Sequence, residues 1–222
     1  MTAPFPLLRR QARRHVNDLP FVPGGRLLDV GCGNGRLLVE MRWAGWDVEG
    51  VEVDPDAARS ARAHGLSVRQ GAFEQLDLPE GSYDAITMDH VLEHLADPAE
   101  ALAKCHALLR PGGALRIATP NLGSPAHRAY GSDWIGLDPP RHLALVNARA
   151  LRATLERAGF AVEFLPPMRV RWALLQSEQL RAPGRGIPRG RALRLAVHGA
   201  FRDLRALVRR TSGEELVVLA RR

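Results

Sequence analysis

The chain has 222 residues, 45% of them hydrophobic and 25% charged, which is typical of one globular domain with a sizeable core. The first twenty residues contain no long apolar stretch, and the two cysteines form neither a disulfide framework nor a zinc-binding spacing. We therefore expect a cytoplasmic protein without a transmembrane helix. The net charge is +7, and every basic residue except Lys104 is arginine. We interpret this as a compositional bias and expect no nucleic-acid partner.

The first half of the chain alternates between predicted helices and strands. An amphipathic helix over 6–19 comes first and ends before Pro20. Five strands are predicted after it, at 26–30, 47–53, 66–70, 83–88 and 114–119, and three helices between them, at 34–44, 54–65 and 97–113. Alternating strands and helices with short connections indicate parallel strands and right-handed crossovers in an open, doubly wound sheet.

The rest of the chain adds a helix over 147–158 and two further strands, over 161–165 and 214–220. We treat 1–222 as a single domain and expect an α/β fold. Its mostly parallel sheet has seven strands with helices on both faces, and the last strand is expected to be antiparallel.

A basic insertion over 181–210 separates the last two predicted strands. It holds nine arginines and one acid, Asp203, and it begins with a Pro/Gly/Arg-rich stretch over 181–191. An amphipathic helix follows. In the simplest interpretation its apolar face packs on the sheet while the arginines are solvated. A basic helix with an apolar face can also lie weakly on an anionic membrane surface, or steer an acidic acceptor toward a pocket. The apolar face consists of Leu193, Val197, Phe201, Leu204 and Val208.

The stretch LLDVGCGNGR, over 27–36, places three glycines directly after the first predicted strand, at Gly31, Gly33 and Gly35. In an open α/β sheet, ligands bind beyond the carboxyl ends of the strands. Glycines at this position allow backbone N–H groups to approach an anionic group at the start of the next helix. The stretch therefore predicts a loop that binds a nucleotide or a carboxylate.

Two ligands fit this loop, a dinucleotide and S-adenosylmethionine. Glu52, at the end of the second predicted strand, can accept hydrogen bonds from both hydroxyls of a ribose. Arg36 stands where the dinucleotide fingerprint requires its third glycine. Asp29, two residues before the first glycine, suits a ligand that carries an ammonium group.

The sequence LLDVGCGNG, together with Glu52, resembles motif I and the following acidic site of class I S-adenosylmethionine-dependent methyltransferases. Residues 76–121 resemble the central segment of that family. The later segment, from TPN through DWIGLDPPRHLALV to ERAGF, is similar to the small-molecule enzymes related to ubiquinone-biosynthesis O-methyltransferases. The resemblance covers roughly residues 20–165. It implies a Rossmann-like methyltransferase fold, S-adenosyl-L-methionine as the cofactor, and methyl transfer by in-line displacement to a hydroxyl of a small-molecule acceptor.

The resemblance also assigns the residues that contact the cofactor. The backbone from Gly31 to Gly35 would hold the methionine moiety, with Asp29 near its amino group and Cys32 as a passive member of the loop. Glu52 would bind the ribose, and Val53 would pack on the adenine. The adenine edge is bordered by Ala72, where the family often has Asp, and by Phe73. The full predicted set is Asp29, Gly31, Cys32, Gly33, Gly35, Glu52, Val53, Ala72, Phe73, Met88 and Asp89.

Histidines are the candidates for a general base, because an imidazole exchanges protons near neutral pH. We favour His142, in the proline-rich loop DPPRHLALV, over His94, and Trp134 is expected to supply an aromatic wall. His90, Glu93 and His94 share one face of a short helix and form a weak candidate for a metal site, although His90 stands where related enzymes have an acid. The alternative function is a non-catalytic S-adenosylmethionine-binding or regulatory protein of the same fold.

Overall fold

The computed structural model describes residues 19–166, 170–181 and 186–222. The helix expected over 6–19 therefore falls, except for its last residue, outside the described residues. Within them the chain forms one seven-stranded sheet, whose strand order is β3-β2-β1-β4-β5-β7-β6. The strands are β1 (Arg26–Val30), β2 (Asp47–Glu52), β3 (Ser67–Gln70), β4 (Tyr83–Asp89), β5 (Leu109–Pro120), β6 (Ala161–Leu165) and β7 (Glu215–Arg221).

Strands β1 to β5 pair with one another in parallel, whereas β7 runs antiparallel to both β5 and β6. This confirms the predicted fold class and the antiparallel last strand. The helices within the described residues are α1 (Arg36–Ala44), α2 (Pro55–Ala63), α3 (Pro98–Leu108), α4 (Pro125–Tyr130), α5 (Ala148–Arg157), α6 (Val170–Arg181) and α7 (Arg189–Val208).

Short polar caps fix where the crossover helices start. Asp54 accepts hydrogen bonds from the N–H groups of Asp56 and Ala57, and Pro55 occupies the first position of α2. Asp97 caps α3 in the same way, again followed by proline. Two residues therefore separate the end of β2 from the start of α2, whereas a longer connection over 90–97 separates β4 from α3.

The sheet is buried on both faces. Leu27 and Leu28, which are adjacent in β1, belong to different hydrophobic clusters on opposite sides of the sheet. Cys105 is fully buried in α3, as expected for a core residue. Near-continuous apolar strands of this kind are typical of parallel sheets covered by helices.

One predicted boundary is wrong by several residues. Helix 97–113 ends at Leu108, and β5 begins at Leu109 rather than at residue 114. Leu109 pairs with Tyr83 of β4 and is fully buried, and the next pair is Ala114 with Ala85, so the Pro-Gly-Gly segment that the sequence marks as a helix end is an irregularity within β5. The other predicted strands and helices in the described residues agree within two residues.

Two helices, α4 and α6, have no counterpart among the predicted elements. Helix α6 covers the loop after β5, where Ile135 donates its N–H to Ser177 Oγ at 3.0 Å and the Tyr130 hydroxyl donates to Glu178 Oε2 at 3.1 Å. Helix α7 contacts α6 in turn, through Arg191 and Glu178 at 2.7 Å. Among the residues that the structure describes, no helix is both long enough and apolar enough to cross a bilayer.

The predicted packing of the apolar face of α7 on the sheet is wrong. Leu193, Val197, Phe201 and Val208 are exposed to solvent, with exposed fractions of 63% or more. The face that α7 turns to the protein instead includes Gly199, which is buried, and the partly exposed Leu195. The side chain of Leu204 lies outside the described residues.

Candidate active site

The glycines of the β1–α1 loop are required mainly by the protein's own packing. Gly31, Gly33 and Gly35 have φ angles of 71°, 55° and 81°, in the left-handed region that favours glycine. A Cβ at Gly31 would lie 2.4 Å from Val91, and a Cβ at Gly35 would lie 2.3 Å from Leu66. A Cβ at Gly33 would meet nothing within 4 Å, so only the backbone conformation selects glycine there.

The N–H groups of this loop bind within the protein. Gly31 and Cys32 both donate to the carbonyl of Val51, at 2.8 and 3.0 Å, and Gly35 donates to the carbonyl of Cys32. Gly33 donates to Glu52 Oε2 at 2.7 Å. These four N–H groups are therefore occupied within the protein, and the contact of this loop with an anionic ligand stays a prediction.

Glu52 is held in place by two backbone groups. Besides the bond from Gly33, its Oε1 accepts the N–H of Asp54 at 2.8 Å, and the residue is only 8% exposed. Each carboxylate oxygen accepts up to two hydrogen bonds, so both keep capacity for a ligand hydroxyl. Val53, the next residue, is 68% exposed and provides an apolar surface beside this carboxylate.

A first cavity of about 450 Å³ opens at this edge of the sheet. Five of the residues predicted to bind the cofactor line it: Gly31, Glu52, Val53, Ala72 and Phe73. Ala72 has no polar side-chain atom, and Glu74 supplies the nearby carboxylate in the wall of this cavity. Six predicted residues do not line this cavity: Asp29, Cys32, Gly33, Gly35, Met88 and Asp89.

The residues beneath the loop are buried. Asp29 accepts a hydrogen bond from Thr87 Oγ1 at 2.6 Å, and burial raises its pKa to about 7. Burial also raises the pKa of Cys32 to about 12, so this thiol stays neutral and is a poor nucleophile. Met88 is fully buried, and Asp89 forms an ion pair with Arg116.

His90 follows β4 and has a positive φ of 55°, which is unusual for a residue other than glycine. Its Nδ1 lies 3.1 Å from Glu93 Oε1, and its Nε2 lies 3.4 Å from Glu215 Oε1. Hydrogen bonds to Glu215 and Glu93 raise the pKa of His90 to about 10. At neutral pH its ring is therefore an imidazolium and cannot accept a proton or bind a metal.

Glu93 connects this imidazolium to the loop after β5. Its side chain is fully buried, and Oε2 accepts the Thr119 hydroxyl at 2.9 Å. Burial alone would raise its pKa, but the hydrogen bonds from His90 and Thr119 hold the pKa below its usual value. The Glu93 carbonyl accepts the N–H groups of Leu143 and Ala144, at 2.7 and 3.1 Å, which fixes the proline-rich loop against the site.

The two histidines proposed as bases come together. The rings of His94 and His142 lie 4.8 Å apart between centroids, at an angle of 68°. His94 Nδ1 lies 2.9 Å from the carbonyl of Arg141, and His142 Nδ1 lies 2.8 Å from the carbonyl of Gly136. Since a carbonyl only accepts, each Nδ1 carries a proton, and Nε2 of His142 lies 3.9 Å from Asp138 Oδ2.

The group that could hold a metal ion differs from the predicted one, because His142 takes the place of His90. Glu93, His94 and His142 each offer a ligand atom within 4.8 Å of the others, whereas His90 is engaged by two carboxylates. Magnesium prefers oxygen ligands, but this set has one carboxylate, whose oxygens already bind His90 and Thr119. The residues therefore do not fit a magnesium ion.

A second cavity, of about 590 Å³, adjoins the first, and His90 lines both. Trp134 and Ile135 supply apolar wall, and His142 and Glu214 supply polar groups. Glu214 Oε1 accepts the N–H of Ala126 at 3.1 Å, and the side chains of Ser124 and Trp134 also stabilise its carboxylate. Burial also raises the pKa of Glu214.

Sequence reasoning missed Glu214 and Glu215 as members of the site. They stand at the start of β7, far from the other site residues along the chain. An antiparallel last strand begins at the edge where the parallel strands end, and Glu215 is indeed paired with Pro120, the last residue of β5. Two consecutive acids, Glu214 and Glu215, at the start of a strand predicted to be antiparallel could have indicated that they lie at this edge of the sheet.

Known proteins resemble this chain in sequence and in fold. A family profile described as a methyltransferase domain matches residues 7–164. The ubiquinone biosynthesis O-methyltransferase of Xanthomonas campestris pv. campestris (strain B100) is 38% identical over 107 residues, 45% of each chain. That of Xanthomonas axonopodis pv. citri (strain 306) is 34% identical over 158 residues, 63% of this chain and 64% of the relative. The chain thus aligns with less than two thirds of the length of these relatives.

Solved structures support the same architecture. A SAM dependent methyltransferase from Archaeoglobus fulgidus superposes with a TM-score of 0.63 and 22% identity, covering 97% of this chain and 93% of that one. At this level of identity the likeness shows a shared fold.

Proposed function

The chain belongs to the methyltransferase domain family as a class I S-adenosylmethionine-dependent enzyme, and we propose that it methylates a hydroxyl oxygen of a small-molecule acceptor. The observation that carries this proposal is the contact between His94, which lines the first cavity, and His142, which lines the second. A cofactor in one cavity and an acceptor in the other would meet beside these two rings.

The first cavity suits the cofactor. Glu52 offers a fixed, buried carboxylate for the ribose hydroxyls, and the exposed Val53 offers an apolar surface for the adenine. Asp29, under the loop, would favour its ionised form once an ammonium group binds nearby, because opposite charge lowers a carboxyl pKa. When bound, S-adenosyl-L-methionine supplies an electrophilic methyl group.

The second cavity suits the acceptor. Trp134 and Ile135 give an apolar wall, and the carboxylates of Glu214 and Glu215 offer polar groups that can orient an acceptor. In this proposal, Nε2 of His142 takes the hydroxyl proton while the acceptor oxygen is methylated by in-line displacement. His90, already protonated, acts through its ion pairs with Glu93 and Glu215, which hold β4 and β7 together at this edge.

A panel assay tests the proposal. Release of S-adenosylhomocysteine is measured with phenols, sugars, polyketides and amines as acceptors, and the methylated product is analysed by mass spectrometry. Methylation of a hydroxyl acceptor supports the proposal. Preference for an amine would contradict oxygen as the target. Tight cofactor binding with no transfer to any acceptor would favour the non-catalytic alternative.

The comparisons name enzymes with small-molecule substrates, so we propose a small-molecule acceptor and no nucleic-acid partner. We also propose the cytoplasm as the compartment, because both cysteines of the chain, Cys32 and Cys105, are buried free thiols.

A further inference from the structure

Helix α7 presents an apolar stripe to solvent. Leu193, Val197, Phe201 and Val208 are between 63% and 84% exposed. Spacings of four, four and seven residues place these side chains on one face of a helix. Single exposed apolar residues are common on proteins, but a stripe of four on one helix marks an interaction surface.

A third cavity, of about 300 Å³, lies between α4 and α7 beside this stripe. Arg128, His198, Arg202 and Arg205 line it, together with Phe201 and Ser212, and among the side chains that the structure describes none in its wall is acidic. One of these arginines lies near a carboxylate: Arg202 Nη1 is 4.0 Å from Glu214 Oε1.

The arginines of this cavity have few partners in the protein. Nη1 of Arg202 is buried and has no hydrogen-bond partner. Within the described residues, Arg128 and Arg205 make no side-chain hydrogen bond or ion pair. Glu214 lies near Arg202 only, so among the described side chains the other two guanidinium groups have no counter-charge, and guanidinium binds phosphate oxygens in a bidentate manner.

We propose that the third cavity and the apolar stripe of α7 together bind an anionic lipid surface. A lipid phosphate would enter the arginine cavity, and the stripe would lie at the boundary between headgroups and acyl chains. Phe201 belongs to both features, so one ligand that is anionic at one end and apolar at the other satisfies them together. Methyl transfer does not require this surface, so the inference stands apart from the proposed function.

Vesicle flotation tests the inference. The full chain is mixed with vesicles of phosphatidylcholine alone, or of phosphatidylcholine with phosphatidylglycerol, at low and at high salt. We expect binding to the anionic vesicles at low salt and release at high salt, because salt screens surface charge. Equal binding to both vesicle types, or no binding to either, would overturn the inference.

Matched variants distinguish binding through this surface from a general effect of positive charge. Arg128→Gln with Arg205→Gln should weaken binding roughly fivefold for each arginine removed. Val197→Ser with Phe201→Ser should weaken binding without a change of charge. The control, Arg59→Gln with Arg152→Gln on α2 and α5, removes the same charge elsewhere and should bind as the parent does. Equal loss in the control would show a nonspecific charge effect and overturn the inference.

Two further measurements exclude unfolded variants and identify the source of the phosphate. Thermal unfolding and cofactor binding show whether each variant is folded, and only folded variants are compared. Calorimetry with glycerol 3-phosphate distinguishes the source of the phosphate. If this soluble probe binds the cavity while the parent ignores anionic vesicles, the cavity serves a soluble phosphate compound and the lipid proposal is wrong.

Discussion

His94 and His142 come from two different loops, after β4 and after β5, yet their rings contact each other at 4.8 Å. Backbone carbonyls hold both rings with Nδ1 protonated. In each ring Nε2 is therefore the nitrogen that can accept a proton, and Nε2 of His142 lies 3.9 Å from Asp138 Oδ2.

Replacing His142 with alanine should lower turnover much more than cofactor affinity. A positioned general base contributes about 10²–10⁴-fold in rate. Steady-state kinetics on an identified acceptor and calorimetry with the cofactor measure the two effects. His64→Ala, at the exposed end of α2, is the control and should keep full turnover. Turnover of the His142 variant within a few-fold of the parent would show a structural role, and His94→Ala would then be the next variant to test.

Replacing Glu52 with alanine should weaken cofactor binding by about 1.5–3 kcal/mol, the range for hydrogen bonds to a charged group. The change also leaves the N–H groups of Gly33 and Asp54 without their present partner. Calorimetry measures the affinity, with Glu156→Ala on the exposed surface of α5 as the control. Unchanged affinity in a folded Glu52 variant would contradict its assignment to the ribose.

The Gly33→Val variant should lose cofactor binding while the domain still folds. Gly33 has a φ of 55°, and a Cβ there would meet no protein atom within 4 Å, so the strain is local. Gly81 offers a matched control, since it has a φ of 58° and equally open surroundings, far from the loop. Both variants should lose similar stability in thermal melts, but only Gly33→Val should lose binding. Tight binding by folded Gly33→Val would show that the loop is not the site.

The stability of the protein should depend on the protonation of Asp29. Its folded pKa of about 7 lies above the ordinary value of 3.8, so the folded state holds this proton more tightly than the unfolded chain. The resulting stabilisation is complete below pH 3.8 and is lost as the pH rises through about 7. Asp29→Asn should remove this part of the pH dependence. Urea unfolding across this pH range measures it, and identical profiles for parent and variant would contradict the prediction.

Metal removal should leave methyl transfer unchanged. The carboxylate of Glu93 already binds Thr119 and a protonated His90, which disfavours a cation at the same oxygens. Activity assayed after treatment with a chelator, with and without added magnesium or zinc, checks this. Loss of activity that zinc restores would instead indicate a site at Glu93, His94 and His142.

Local sequence patterns were sufficient for the framework of the protein. The alternation of strands and helices follows from hydrophobic periodicity and from caps such as Asp54 and Asp97, which act within a few residues. The glycine loop and Glu52 were also predictable, because the order of elements in a doubly wound sheet places the ends of β1 and β2 side by side. The end of α3 could not be predicted in this way, because Leu109 pairs with Tyr83 of β4 and so ends the helix before the Pro-Gly-Gly segment.

Only the tertiary structure decided which polar groups share the site. His142 and His94 were predicted separately, but their contact depends on how the loop after β5 is held by the carbonyl of Glu93. Glu214 and Glu215 enter the site because β7 is antiparallel and starts at the functional edge. The apolar face of α7 was visible in the sequence, but its exposure was not, since an amphipathic pattern is the same whether a helix packs on its own sheet or faces solvent.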